Sequence, residues 1–133
     1  MQILDNRLHP CYYYAIRYIA GHNSGGGGEM AQGRGPMTEA MYYVLLALCQ
    51  PLHGYAIMNA IEDISRGRVN MGPGTLYGVL TRLEKEQLIE LEQDDGRRKV
   101  YSITTTGREA LRDEHRRLTA MVADGSFLME EGE

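Results

Sequence analysis

The chain has 133 residues, 43% of them hydrophobic and 24% charged, which suits one folded domain with a single modest core. A formal net charge of −4 and a pI of about 5.6 argue against a protein that binds every polyanion without selectivity. Residues 40–49, the longest apolar run, are too short to span a bilayer, and two cysteines (Cys11, Cys49) make no disulfide framework, so we expect a cytoplasmic protein without a membrane partner.

The first 36 residues differ in composition from the rest of the chain. An aromatic cluster, Tyr12 to Tyr14 with Tyr18, precedes residues 21–36, where seven of sixteen residues are glycine. The run of four glycines lacks the Lys-Ser/Thr pair of a P-loop, so a phosphate-binding loop is not expected there. We interpret residues 1–36 as an aromatic and glycine-rich extension or linker ahead of the functional domain.

A first helix is predicted to begin after Thr38, which is a plausible N-cap. Side chains of tyrosine and leucine continue its apolar character around the whole circumference. We therefore expect this helix to be covered by its own domain and also by a partner subunit. One face is formed by Met41, Val44, Leu45 and Leu48, and the remaining apolar positions include Tyr42, Tyr43 and Leu46.

After Pro51, residues 53–68 predict a second helix, which Arg66-Gly67-Arg68 closes. Residues 69–71 are a candidate short strand before the next helix. The buried stripe of the second helix is expected to be Ile57, Ala60, Ile61 and Ile64.

A third helix is predicted within residues 72–88, with Pro73 in its first turn and an apolar stripe on one face. The opposite face is small and rich in hydrogen-bond donors, whereas a routine solvated face carries many Glu and Lys. A helix that reads a DNA groove needs an anchored apolar face, a small outward face and free N–H groups for phosphate. An ordinary core helix with a polar surface is the alternative. The stripe is Leu76, Val79, Leu80 and Leu83, and the outward face holds Thr75, Tyr77, Gly78, Thr81, Arg82 and Lys85.

From Ile89 onward the apolar period changes from 3.6 to 2, and Asp95-Gly96 is a strong hairpin signal. The tip of this predicted hairpin carries Arg97, Arg98 and Lys99. Three adjacent cations at a turn are usually a solvated loop. Their position directly after a candidate recognition helix favours contact with a DNA backbone or minor groove instead.

A long final helix is predicted after residues 104–106, where Thr106 and Glu109 fit the capping-box pattern. Its apolar positions are spaced 4, 3 and 4 residues apart, which is the seam of a helix that packs on another helix, most simply its own copy. Packing on its own subunit is the alternative. The seam consists of Leu111, His115, Leu118 and Val122.

Three helices, a hairpin with a basic turn and a trailing helix follow the order of a winged helix-turn-helix. The residues resemble one family in particular, the PadR-like transcriptional regulators, over residues 38 to about 123. The matching blocks are HGYAI at 53–57, GPGTLYGVLTRLEKEQLIE at 72–90, DGRRKVYSIT at 95–104 and TGREAL at 106–111.

The resemblance implies a mainly α (α+β) fold: a winged helix with a two-stranded wing and a C-terminal dimerisation helix. The winged helix DNA-binding domain would occupy residues 37–103 and the dimerisation helix residues 104–124, with an acidic tail at 125–133. Dimers would form through the trailing helix and the first one, as in family members with a short C-terminal part. The interface residues expected on this basis are Met41, Leu45, Leu111, His115, Leu118 and Val122.

The resemblance also implies a role for each exposed residue of the third helix and the wing. Two copies would read a palindromic operator, with repression as the family expectation. Base edges would be read by Thr75, Gly78, Thr81 and Arg82. Phosphates would be contacted by Tyr77, Lys85 and the N–H group of Gly74 or Thr75, and the wing contacts would come from Arg97, Arg98 and Lys99.

Small aromatic or hydrophobic effectors often bind family members at the dimer interface. Tyr42, Tyr43 and His115 are suitable wall residues for such a site, although these side chains also suit simple filling of the core or interface.

The sequence also bears on two other classes of function, an enzyme and a protein-binding module. Neither an enzyme nor a metal or other cofactor is predicted, because the histidines and cysteines lack metal-ligand spacing and no nucleophile or paired-carboxylate motif occurs. A winged helix that contacts only proteins is the alternative function; the acidic pI favours it and the basic wing opposes it.

Overall fold

The computed structural model describes residues 35–130, and Thr38 begins its first helix as an N-cap whose hydroxyl accepts a hydrogen bond from the Met41 amide at 3.1 Å. The proposed extension therefore lies outside the described residues except at its last two positions, as do residues 131–133 of the tail. In chain order the elements are α1 (Glu39–Ala47), β1 (Leu52–His53), α2 (Gly54–Ile64), α3 (Pro73–Lys85), β2 (Ile89–Asp94), β3 (Lys99–Ile103), α4 (Thr105–Asp124) and α5 (Phe127–Glu130).

One apolar core joins α1, α2, α3 and the start of α4, and it leaves the outer face of α3 free. The predicted stripes of α2 and α3 both point inward, although Val79 is only half-buried. The mixed α+β winged-helix class predicted from the sequence is confirmed. The fully buried large side chains are Val44, Leu45, Leu48, Ile57, Ile61, Leu76, Leu80, Leu83, Leu88, Ile89 and Leu111.

Both α2 and α3 end in a turn whose key residue is in the left-handed conformation without being glycine. Arg66 has φ of 56° and Gln87 has φ of 62°. The next residue in each turn donates its N–H five residues back, Gly67 to Glu62 at 2.8 Å and Leu88 to Leu83 at 2.9 Å. These Schellman ends stop each helix at a defined residue.

Residues 69–71 are not a strand, in contrast to the expectation from the sequence. The Ser65 hydroxyl accepts the Val69 N–H at 3.0 Å and donates to the Val69 carbonyl at 3.4 Å. The backbone groups of Val69 are therefore used by the turn between α2 and α3, and they are not offered to a neighbouring strand.

The sheet has three antiparallel strands in the order β1-β3-β2, so the predicted two-stranded wing lacked one strand. The additional strand, β1, pairs Leu52 with Tyr101 and His53 with Val100. Two residues are too few to show an alternating pattern, so this strand exists only because β3 lies beside it. A register shift between Leu91 and Gln93 interrupts the β2–β3 ladder.

The start of α4 is locked to the end of α3 through Thr104. Its hydroxyl accepts from the Gly107 amide at 2.9 Å and donates to the Gln87 carbonyl at 2.8 Å, and its own N–H donates to the Leu88 carbonyl at 3.0 Å. The predicted capping box of Thr106 and Glu109 is wrong, because Thr106 lies inside the helix and Thr104 occupies the cap.

Within the predicted acidic tail, residues 127–130 form the helical turn α5. Large apolar side chains at the end of α4 and in α5 are exposed, with Val122 at 75% and Met129 at 84%.

Within residues 35–130, no helix combines the length and the apolar character that a membrane crossing demands.

Glu114 is a buried carboxylate on α4 and forms an ion pair with Arg117. The hydrogen bond from Arg117 holds the pKa of Glu114 below its ordinary value; burial opposes this shift, and the Arg117 charge and the Met37 amide assist it. A carboxyl group whose pKa is lowered by folding stabilises the protein at pH values above the pKa that it has in the unfolded chain. This stabilisation is lost as the pH falls through the lower pKa of the folded state.

We therefore expect Glu114→Gln to lower the free energy of unfolding at pH 7 by about 1 kcal/mol, because the charge-assisted bonds to Arg117 and Met37 are lost. The difference from the wild type should shrink as pH falls below about 4.3, the ordinary carboxyl value. Urea unfolding at several pH values measures both effects. Asp113→Asn is the matched control, since Asp113 pairs with Arg116 on the same helix at 3.3 Å but in a more exposed position. A control effect as large as that of Glu114→Gln would contradict the prediction.

Candidate nucleic-acid interface

The outward face of α3 carries small side chains and is open to solvent, while the opposite face of the helix packs in the core. Leu76, Leu80 and Leu83 are buried on the inner side of the helix. On the outer side, no other part of the described chain approaches within 4 Å of the position where a Cβ would stand on Gly74 or Gly78. The residues predicted to meet DNA are all exposed on this helix: Gly74, Thr75, Tyr77, Gly78, Thr81, Arg82 and Lys85.

Two of these side chains already have a partner within the helix, one through a hydrogen bond and one through an ion pair. The Thr81 hydroxyl donates to the Tyr77 carbonyl at 2.8 Å, so its single hydrogen is already used within the helix. The Arg82 guanidinium pairs with the Glu86 carboxylate at 3.3 Å, and its side chain is 59% exposed. The face therefore offers one exposed arginine, paired within its own helix, next to the small residues Gly78 and Thr81.

The N-terminus of α3 presents backbone N–H groups. Gly72 is the N-cap residue, but it has no side chain that could accept a hydrogen bond from the helix. Pro73 occupies the first turn. The amides of Gly74 and Thr75 belong to the turn whose N–H groups have no acceptor within the helix. Such a terminus favours an anion by hydrogen bonding and by the helix dipole.

The turn between β2 and β3 is shaped by two aspartates. The Asp95 carboxylate accepts the Arg97 N–H at 3.0 Å and the Arg98 N–H at 2.7 Å, while Asp94 accepts the Gly96 N–H at 3.0 Å. The hydrogen bonds from Arg98 and Arg97 lower the pKa of Asp95. Gly96 has φ of 84°, so the glycine is required by the turn.

This turn exposes the arginines of the predicted wing, and the strand β2 that leads to it packs on α3. Arg97 and Arg98 lie in the turn itself. Lys99 lies one step further along, as the first residue of β3 opposite Asp94, instead of at the tip. The structure thus places two cations in the turn and a third at the first strand position beside it.

Tyr55 was not selected from the sequence, yet it is 69% exposed at the start of α2. The neighbouring Gly54 lets the Tyr77 hydroxyl approach closely, since a Cβ on Gly54 would lie 3.1 Å from that oxygen. The start of α2 therefore lies against the Tyr77 side chain of α3. The signal available in the sequence was the position of Tyr55 off the apolar stripe of α2.

The candidate effector residues lie together on the surface of α1 and α4. The Tyr42 hydroxyl and His115 Nδ1 are hydrogen-bonded at 3.0 Å, and the rings of Tyr42 and Tyr43 meet edge to face with centroids 6.0 Å apart. Burial raises the pKa of Tyr42. Arg68 donates to the Tyr43 hydroxyl and lies over its ring, with the guanidinium carbon 5.7 Å from the centroid.

The residues expected at a dimer interface divide into two groups. Met41, Leu45 and Leu111 are 5%, 0% and 1% exposed within a single subunit, so they offer almost no surface to a second copy. They fill the core because α1 packs across both α2 and α4. The remaining expected residues, His115, Leu118 and Val122, keep accessible surface on α4.

Buried helices, an exposed third helix and a hairpin wing define a winged helix-turn-helix protein. A sequence model of the transcriptional regulator PadR-like family matches residues 44–113, just over half of the chain. The chain belongs to this family, which consists of transcriptional regulators and not of enzymes. In the described part of the chain, no group of three or more His, Cys, Asp or Glu side chains is arranged to hold a metal ion.

Similar proteins agree with this assignment. An uncharacterized 37.1 kDa protein in transposon TN4556 of Streptomyces fradiae is 48% identical over 78 residues, which are 58% of this chain and 22% of that protein. The transcriptional regulator YqjI of Escherichia coli is 31% identical over 72 residues, 54% of this chain and 34% of its own length. The matched residues thus span 22% and 34% of the lengths of these two relatives.

The crystal structure of a PadR family transcriptional regulator from Eggerthella lenta superposes with a TM-score of 0.56 at 29% identity. This superposition covers 66% of this chain and 75% of that one.

Proposed function

We propose that this PadR-like regulator binds DNA in a sequence-specific manner as a dimer and acts as a transcriptional repressor. The observation that carries the proposal is the outer face of α3, where Gly78 and Thr81 are exposed while Leu76, Leu80 and Leu83 hold the helix from inside. A helix can enter the major groove only if its outer side chains leave room for base edges. The proposal includes the cytoplasmic location that the sequence analysis expects.

In this proposal α3 lies in the major groove. Thr75, Gly78, Thr81 and Arg82 face base edges, and Tyr77, Lys85 and the N-terminal amides of α3 contact phosphates. The hairpin turn adds backbone contacts through Arg97, Arg98 and Lys99. The DNA-binding unit would span residues 37–103, ahead of a dimerisation helix at residues 104–124.

The exposed apolar side chains of α4 support a dimer. Val122 is 75% exposed and Met121 is 55% exposed, and both lie beyond the part of α4 that packs on its own subunit. Two copies related by a two-fold axis would present two α3 helices, so the operator should be a palindrome with half-sites about one helical turn apart.

Selection of bound sequences from a random duplex library tests this proposal directly. We expect a palindromic consensus, a mobility shift on that duplex, and affinity that falls steeply between 50 and 200 mM salt as counterions are displaced. A winged helix that contacts only proteins would give neither enrichment nor a shift. That result would overturn the DNA-binding proposal.

Arg82→Ala should relax specificity at one base pair in each half-site, because a bidentate arginine–guanine contact discriminates by roughly 1 to 3 kcal/mol. The loss of specificity is measured as the affinity of the variant for every single-base variant of the consensus duplex. Arg116→Ala is a matched control, since Arg116 is 60% exposed and also pairs with a carboxylate on its own helix at 3.3 Å. If Arg82→Ala weakened all sequences equally, Arg82 would be a phosphate contact.

A small aromatic or hydrophobic effector is proposed to act at Tyr42, Tyr43 and His115. The proposal is supported by the closeness of these side chains to the expected dimer interface. The Tyr42–His115 hydrogen bond of 3.0 Å joins α1 to α4, and α4 is the helix through which dimers are proposed to form. Mobility shifts on the selected duplex with and without candidate aromatic ligands test the idea. A ligand that changes wild-type affinity but leaves the Tyr42→Phe variant unaffected would support it. Equal responses of both proteins would remove these residues from the effector site.

A further inference from the structure

The closest contact of the Arg82–Glu86 ion pair runs from Arg82 Nε to a Glu86 carboxylate oxygen at 3.3 Å. This contact does not use the two terminal nitrogens of the guanidinium, so they can meet another partner. A guanine offers two acceptors on its major-groove edge, N7 and O6, which those two nitrogens can meet together.

Glu86 is held in place by the backbone at the end of α3. Its N–H donates to the Arg82 carbonyl at 3.0 Å, so the two residues are linked through main chain and side chain. The following residue, Gln87, has φ of 62°, and its carbonyl accepts the Thr104 hydroxyl at 2.8 Å. The carboxylate thus projects from a backbone position fixed by the junction with α4.

Glu84 provides a contrast on the same helix. It is also exposed, but it lies two residues before Glu86, which places it on a different side of α3. Burial and, after it, the Glu84 charge raise the pKa of Tyr101 in β3. The two glutamates carry the same charge, and Glu86 is the one that pairs with the arginine.

We propose that Glu86 is a positioning residue that sets the specificity of DNA reading by holding the Arg82 guanidinium with its terminal nitrogens free for a guanine. The inference rests on the proposed DNA-binding function. A free arginine must lose side-chain entropy when it binds a base, and a preset one loses less, so the matched base gains affinity over mismatched bases. A carboxylate close to DNA also repels phosphates on every sequence, which lowers background binding.

The test compares Glu86→Ala, Glu86→Gln and Glu84→Ala on the selected duplex, on its single-base variants and on unrelated duplex DNA. Each variant removes one negative charge, so each should bind unrelated DNA more tightly. Glu86→Ala should also reduce discrimination at the base pair read by Arg82 by about three- to tenfold. Glu86→Gln keeps an acceptor oxygen at the same reach and should retain most of the discrimination, as should Glu84→Ala.

A double variant completes the test. In the Arg82→Ala background, Glu86→Ala should change affinity for all duplexes alike, because there is no guanidinium left to position. Equal discrimination by Glu86→Ala and Glu86→Gln would show that only charge matters and would overturn the inference. Improved discrimination on removal of Glu86 would also overturn it, since Glu86 would then compete with the base for Arg82. If the wild type selects no sequence, the proposed function itself fails, which is a separate result.

Discussion

Gly107→Ala should cause one of the largest losses of stability of any single methyl addition to this protein. A Cβ at position 107 would lie 2.0 Å from the Leu88 carbonyl oxygen and 2.8 Å from Ile103 Cγ1. The backbone carbonyl cannot give way without breaking its 3.0 Å hydrogen bond from Thr104, which joins α4 to the end of α3. We expect a loss of roughly 3 kcal/mol or more and a decrease in Tm of at least about 10 °C.

Thermal and urea unfolding of the variant provide the measurement, and Gly78→Ala is the matched control. Gly78 lies inside α3, and nothing approaches its Cβ position within 4 Å. Replacing a glycine in an open helical position should raise stability by about 0.4 to 1 kcal/mol, so the same substitution should have opposite signs at the two sites. A Gly107→Ala protein as stable as the wild type would show that α4 does not approach Leu88 so closely.

The second large effect concerns DNA binding. Gly78→Glu should reduce affinity for the selected duplex by about 100-fold or more, because it adds bulk and a negative charge where α3 is proposed to enter the groove. Folding should be preserved, since the position is open and glutamate is a good helix former. Mobility shifts at fixed salt measure the affinity, and circular dichroism verifies that the variant is folded.

Substitutions of graded size at the same position separate charge from bulk. Gly78→Ala should bind nearly as well as the wild type, while Gly78→Gln has the size of glutamate without its charge and should fall between the two. If Gly78→Glu bound the duplex like the wild type, the outer face of α3 would not be the reading surface. The proposal would then have to move to another part of the molecule.

Periodicity in the sequence located the main helices because their buried stripes are regular. Leu76, Leu80 and Leu83 recur at helical spacing, and the structure buries all three. The cap at Thr38 was likewise predictable, since a hydroxyl before an apolar helix satisfies an otherwise unpaired N–H. The exposed face of α3 then follows as the complement of its buried face, which is why its small residues could be identified.

Periodicity could not decide which apolar residues meet the subunit's own core and which remain for a partner. Met41 and Leu45 looked suited to an interface, but α2 and α4 cover them within one subunit. The alternation of β2 was readable, whereas β1 has two residues and depends on pairing with β3. In both cases the outcome depends on a neighbour far away in the chain.

The sequence by itself determined the order of helices and hairpin, the inward stripe of α3 and the family to which the chain belongs. These are properties of residues within a few turns of each other, where spacing dictates which side chains share a face. Only the tertiary structure decided that Thr104 is the true cap of α4, that Gly107 must lack a side chain and that Glu86 holds Arg82. The roles of Thr104 and Gly107 depend on the contact of α4 with the Leu88 carbonyl. The Arg82–Glu86 pair depends on side-chain rotamers, which the spacing of the two residues allows but does not dictate.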